Sequence, residues 1–169
     1  MFRLVDTTNG LPDNETKALF YVPDGRLGVI TTYGLTLYDG CGFRSFTAYN
    51  GNVYKTSYVG ALPIAYVDGA ERVWIKEAGW LTVFDLSTET YINNVGELLH
   101  DMGVRGPIQN FFVDVEGEYW IATNNGRLLR IYTSGKGVGK TKYSCRRVGV
   151  SSYLSSIKPN RILCMSNQN

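Results

Sequence analysis

Short runs of alternating apolar and polar residues, each closed by a glycine-bearing turn, occupy most of the chain. "TKALFYV" leads through "PDG" to "RLGVIT", then past "TYG" to "LTLYD", then past "GCG" to "FRSFTAY". Alternation at period two puts successive side chains on opposite faces of a strand, and glycine turns between such runs mark consecutive hairpins. Four short antiparallel strands are therefore predicted for this stretch.

The same pattern recurs. Residues 22–39, 67–85 and 113–132 align with one another, and matching their hydrophobic peaks puts Val29, Trp74 and Trp120 in register at spacings of 45 and 46. Gly34, Gly79 and Gly126 then follow at spacings of 45 and 47, and "SSYLSSIKPNRILCMSNQN" opens a fourth copy. A period of this length with four strands per unit predicts the blades of a β-propeller. The expected fold class is all-β, a partial β-propeller of about three and two thirds four-stranded blades. The blades are expected at about 11–49, 58–94 and 107–149, with a partial fourth at about 151–169. Val29, Ile30, Trp74, Ile75, Trp120 and Ile121 are the expected core, because stacked sheets bury large side chains of their middle strands. An arc of blades leaves apolar faces open at both ends, so self-association of two arcs into one ring is expected. "MFRLV" resembles "FRSFT" and is expected to supply an outer strand.

Composition supports strands over helices. Twelve tyrosines, seven phenylalanines and 19 glycines favour pleated sheet and tight turns. A net charge of +2 excludes the basic excess of a dedicated nucleic-acid binder. Cys41, Cys145 and Cys164 are widely spaced and odd in number, and the single histidine, His100, has no partner ligand in the sequence. No metal site, cofactor or disulfide framework is expected, although one cysteine pair could form in an oxidising compartment. No leader or membrane-spanning run is read, so a soluble chain without direct membrane contact is expected.

"SGKGVGKT" looks like a phosphate loop but fails its spacing. The first glycine of that motif falls at Ser134, and the following "KYSCRRVGV" alternates like a strand where a helix should begin. It is read as an elongated hairpin loop.

The run "TTNGLPDNETKALFYVPDGRLGVITTYGLTLYDGCGFRSFTAYN" closely resembles the first propeller repeat in the sensor regions of hybrid two-component regulators of Bacteroides-type gut bacteria. The matching positions are Gly10, Leu11, Pro12, Asn14, Asp24, Gly25, Thr32, Gly34, Leu35, Tyr38 and Asp39. Trp74-Ile75 and Trp120-Ile121-Ala122-Thr123 keep the strand motif more loosely. The resemblance implies a periplasmic sensing module, part of a receptor whose kinase lies elsewhere and whose ligands are often glycan breakdown products. The rest of such a receptor is then a partner.

Loops joining blades, and those between second and third strands, converge on one propeller face. They supply Asn14, Tyr33, Trp80, Asn124, Asn125 and Arg127, amide, aromatic and guanidinium groups suited to an oligosaccharide. Asparagines in such turns also serve simply to hold the backbone. A protein-interaction scaffold without a small-molecule ligand is the alternative reading. A carbohydrate-cleaving enzyme would need two carboxylates across the sugar, and Asp13 and Glu77 are the candidates near that face. Asp24, Asp68, Glu116 and Glu118 are placed in turns at the other end, and no catalytic residue is assigned.

Overall fold

Each sheet begins with the same turn. The Val22 N–H donates to the Arg26 carbonyl (3.0 Å), the Asp68 N–H to the Arg72 carbonyl (2.9 Å) and the Asp114 N–H to the Glu118 carbonyl (2.9 Å). These bonds reverse the chain between the first and second strands of three successive antiparallel sheets. A computed structural model describes residues 4–47, 53–137 and 140–148. The predicted fourth blade at 151–169, Cys164 and the first three residues of "MFRLV" lie outside the described residues.

The first sheet is β1 (Thr16–Tyr21), β2 (Leu27–Thr31), β3 (Gly34–Tyr38) and β4 (Phe43–Thr47), in that spatial order. The second orders β6 (Ile64–Val67), β7 (Arg72–Glu77) and β8 (Trp80–Asp85). Its outer strand is split. β5 (Tyr54–Lys55) pairs with one end of β8, and β9 (Thr90–Tyr91) pairs with the other. The third sheet is β10 (Ile108–Val113), β11 (Tyr119–Thr123), β12 (Leu128–Gly137) and β13 (Lys140–Val148). β6 lies beside both β1 and β10, so the first strands of the three sheets are neighbours, as strands around a common axis must be. The fold is all-β, a partial β-propeller.

Two apolar clusters fill the junctions between sheets. Ile30, Leu35 and Leu37 of the first sheet pack with Val73, Ile75 and Phe84 of the second. Trp74, Leu81 and Val83 on the other face of the second sheet pack with Phe111, Tyr119 and Ile121 of the third. Of the expected core, Val29, Ile30, Trp74, Ile75 and Ile121 are buried, and Trp120 is half-buried. A helix absent from the sequence reading, α1 (Val95–Asp101), joins β9 to β10. The Asn94 side chain accepts the Glu97 N–H (3.0 Å) as its cap, and Val95 and Leu99 enter the second junction. His100 lies in its last turn.

The turn bonds correct the repeat register. With Val22, Asp68 and Asp114 equivalent, Gly28, Trp74 and Trp120 are the matching positions, each 46 residues apart. Hydropathy matching slides this by one, because Val29-Ile30 mimics Trp-Ile. Gly28 leaves room for the Phe20 ring, whose atoms lie 2.1 Å from where a Cβ would stand. Gly34 and Gly79 are not equivalent either, since Gly34 closes on Thr31 and Trp80 closes on Glu77. The "SGKGVGKT" stretch runs as strand to Gly137 and again from Lys140, a long hairpin with β13 where a phosphate loop would need a helix.

Candidate functional site

The β2–β3 and β7–β8 turns sit at the same end of their sheets, and a cleft of about 730 Å³ opens between them. Ile30 and Ile75 form its floor, with Thr31, Thr82 and Tyr91 along the walls. Tyr33 and Trp80 stand at its rim, and both are exposed. Lys17, Lys55 and Glu77 bring charge to it. The Lys55 ammonium lies 5.9 Å from the centre of the Trp80 ring, within cation–π reach. Tyr91 fixes the back wall: its hydroxyl accepts from the Leu35 N–H (3.3 Å) and donates to the Phe46 carbonyl (3.2 Å). Burial pushes this phenol up to about 12, so it stays a neutral donor.

Of the six residues expected at a binding face, the cleft unites Tyr33 and Trp80. The Asn14 side chain accepts from the Thr7 N–H (2.9 Å) and ties the segment before β1. Asn124 donates from Nδ2 to Ser57 Oγ (2.9 Å), and Asn125 Oδ1 accepts from Thr123 Oγ1 (2.5 Å). Both hold the β11–β12 turn, one sheet away from the cleft. Arg127 is exposed in that same turn, its N–H donating to Thr123 Oγ1 (3.3 Å). The sequence reading missed Lys17, Lys55 and the cleft threonines. Lys17 could have been found, because it follows Thr16 at the start of β1, which pairs with Thr31 at the end of β2. Lys55 comes from a connecting segment that carries no periodic signal.

Among the described lining residues Glu77 is the one carboxylate. Asp13 does not join it, and its carboxylate accepts the Glu15 N–H (3.1 Å) in its own turn. The paired acids that glycoside cleavage requires are not brought together here. Asp24, Asp68 and Glu118 serve structural bonds at the opposite end. Asp114, Glu116 and Glu118 approach within 4.8 Å of one another, but Asp114 Oδ1 accepts the turn amides of Glu116 and Glu118, and Glu118 pairs with Arg130.

The second junction holds three buried charged side chains, Asp68, Arg72 and Lys76. Asp68 accepts from Arg72 Nε (2.8 Å), Trp74 Nε1 (2.5 Å) and Tyr119 OH (2.8 Å), and Arg72 also donates to the Tyr119 and Tyr143 hydroxyls. Burial alone would lower the Arg72 guanidinium, but the Asp68 carboxylate together with the Tyr119 and Tyr143 hydroxyls outweighs it and holds the group above its usual value. Lys76, 4% exposed, donates to Asn110 Oδ1 (2.8 Å) and the Phe111 carbonyl (2.9 Å), with the Tyr58 ring 4.3 Å away. Burial lowers it to about 8.

No helix of the described residues is long and apolar enough to cross a membrane. The sequence matches no family model and no curated protein. Among solved structures it is similar to the extracellular domain of a hybrid two-component system from B. thetaiotaomicron, at 18% identity and a TM-score of 0.45. That similarity covers 85% of this chain, which spans 18% of the other.

Proposed function

We propose that this chain is a ligand-recognition segment of the periplasmic sensor region of a hybrid two-component histidine kinase, and that it takes a glycan-derived ligand in the cleft between its first two sheets. The likeness of residues 7–50 to the opening propeller repeat of such sensors supports the receptor context. The observation that carries the site is the convergence of two exposed aromatic rings, Tyr33 and Trp80, over a cleft lined with threonine hydroxyls and flanked by Lys17, Lys55 and Glu77. Aromatic faces cover the C–H face of a sugar while hydroxyls and charges meet its oxygens. Few other ligand classes need both. No step of bond cleavage is assigned to the segment.

The test is a thermal-shift screen of plant and host oligosaccharides against the purified chain, followed by calorimetry on any hit. A true ligand at 100 times its Kd stabilises by about 2.7 kcal/mol. Trp80→Ala and Tyr33→Ala should each abolish that shift while leaving the unliganded melting temperature near its starting value. A flat response across the panel, or binding indifferent to both substitutions, overturns the site. A flat response would favour a protein-interaction scaffold.

A further inference from the structure

The cleft between the first two sheets carries its charges in an order set by strand pairing. β5, β8 and β7 bring Lys55, Trp80 and Glu77 directly opposite one another. Residues opposite across antiparallel strands project from the same face, and these three line the cleft as one row. The first sheet contributes Thr31 and Thr47, on either side of Gly34. Its lysine arrives differently. The pairing of β1 with β2 slips at Lys17, which falls between Thr16 opposite Thr31 and Ala18 opposite Ile30. An extra residue of this kind re-aims its side chain, and Lys17 lines the cleft with Thr31. The third sheet slips at the equivalent place, between Ile108 and Asn110, where the residue is Gln109. The bulge therefore belongs to the repeat, and the positive charge on it belongs to this cleft.

Strand order puts the two lysines at opposite ends of the cleft. Lys17 is on β1, which lies beside the inner strand β6, whereas Lys55 is on β5, outside β8. Glu77, on β7, comes between them. The ion pairs of the described residues engage Arg26, Arg44, Arg72 and Arg130 and neither of these lysines. Two cations against one carboxylate leave the cleft with an excess of positive charge. A concave site of one net sign concentrates ligands of the other. An anionic group set against Glu77 would meet like charge, so the anions of a ligand are steered to the two ends and its hydroxyls to the middle.

We infer that the cleft selects acidic oligosaccharides, with Lys17 and Lys55 reading their anionic groups and Glu77 accepting from neutral hydroxyls. This rests on the cleft being the sugar site proposed above. Tyr33 and Trp80 then supply affinity for the ring face of any sugar, and the lysines decide between an acidic sugar and its neutral counterpart. The recognised chemistry is an anion carried on a sugar ring, whether a carboxylate or a sulfate ester.

Calorimetry on the purified chain with matched ligand pairs tests this. Oligosaccharides of galacturonate, glucuronate and mannuronate are compared with their carboxyl-reduced forms, and sulfated galactose oligosaccharides with their desulfated forms. At least one acidic member should bind about tenfold or more tighter than its neutral partner, and the pair that shows it tells whether carboxylate or sulfate is read. Raising NaCl from about 0.05 to about 0.5 M should erase most of that preference. Lys17→Gln and Lys55→Gln should each bring the two affinities closer, and the double variant should make them equal. Equal affinity of acidic and neutral members, both lost in Trp80→Ala, overturns the inference and leaves the sugar cleft standing. A preference indifferent to salt and to both lysine substitutions overturns it as well. Binding by no member of any pair overturns the inference and the sugar cleft together.

Discussion

Replacing Asp68 with Asn removes the negative charge from a site where five donors converge. The side chain is fully buried in its ion pair with Arg72, itself 7% exposed. One carboxylate oxygen takes the N–H groups of Ala70 (2.8 Å) and Arg72 (3.0 Å), and the other takes Arg72 Nε, Trp74 Nε1 and the Tyr119 hydroxyl. An amide cannot satisfy both sides. With its oxygen toward the backbone, its NH2 faces three donors; flipped, it faces two. Either way the Arg72 cation stays buried without a counter-ion, a loss of about 3–5 kcal/mol. For a domain of this size that corresponds to a fall in melting temperature of roughly 6–20 °C.

The control lies in the first sheet. Asp24 and Arg26 form a similar pair, but Asp24 is 44% exposed, and a solvated pair of this kind contributes at most about 1 kcal/mol. Urea unfolding of Asp24→Asn and Asp68→Asn, with unchanged m-values, gives the comparison directly. Adding Arg72→Met to Asp68→Asn should recover stability, because the unpaired cation then disappears. A cost for Asp68→Asn within about 1 kcal/mol of that for Asp24→Asn would refute the reasoning, as would a double variant less stable than the single.

Lys76 sets a pH dependence of definite sign. Its folded value is lowered to about 8 by burial, whereas an unfolded lysine titrates near 10.4. From pH 8 upward the unfolded chain binds more protons, so stability should rise with pH by up to about 3 kcal/mol. Above about pH 10 the tyrosines reverse this, since burial pushes Tyr66 and Tyr91 up to about 12 and the unfolded chain loses those protons first. Urea unfolding at several pH values should show the rise in the parent chain and not in Lys76→Met; a flat parent profile between pH 8 and 10 contradicts the assignment. Gly28→Ala forces a methyl into the Phe20 ring and should cost about 1–3 kcal/mol by chemical denaturation. Phe20→Leu in the same chain should return part of it, and a neutral Gly28→Ala would show that the ring is free to move.

The strands were legible because their signals are local. Glycine turns and period-two alternation locate hairpins without reference to the rest of the chain, and they do so for β1 to β4 here. Helix α1 was also legible in principle. Asn94 with Glu97 three residues on, followed by Leu98, Leu99 and Met102, spells a cap and an apolar stripe. The blade pattern absorbed that stretch as a connection. The two-residue strands β5 and β9 carry no periodicity to read. Tyr33 and Trp80 line one cleft because turns at one end of successive blades must lie side by side. Asn14, Asn124 and Asn125 were named by the same logic, but their amides are occupied by the backbone and by neighbouring hydroxyls. The burial of Asp68, Arg72 and Lys76 was out of reach, since a charged residue in a turn or strand reads as solvent-facing until its neighbours are known.

The two junctions differ in chemistry although the repeat is the same, and the difference places the cleft. In the second and third sheets an aspartate opens the turn and a tryptophan six residues later donates back to it: Trp74 to Asp68 (2.5 Å) and Trp120 to Asp114 (3.1 Å). The first sheet has lost both partners together, with Val22 and Gly28 in their places and the Phe20 ring filling the space. Its junction is consequently held by apolar side chains, by the Tyr91 hydroxyl on the Leu35 and Phe46 backbone, and by Glu89, which receives Arg26 and Arg44 at the end opposite the cleft. The second junction is pinned along its length, by Asp68 and Arg72 at one end and by Lys76 with Asn110 at the other. At the cleft end of the first junction the position equivalent to Lys76 is Ile30, which offers no bond to the opposite sheet. The Tyr91 hydroxyl, bonded to the Leu35 N–H and the Phe46 carbonyl, is the cross-junction tie beside the cleft, and a ligand bridging Tyr33 and Trp80 would add to it.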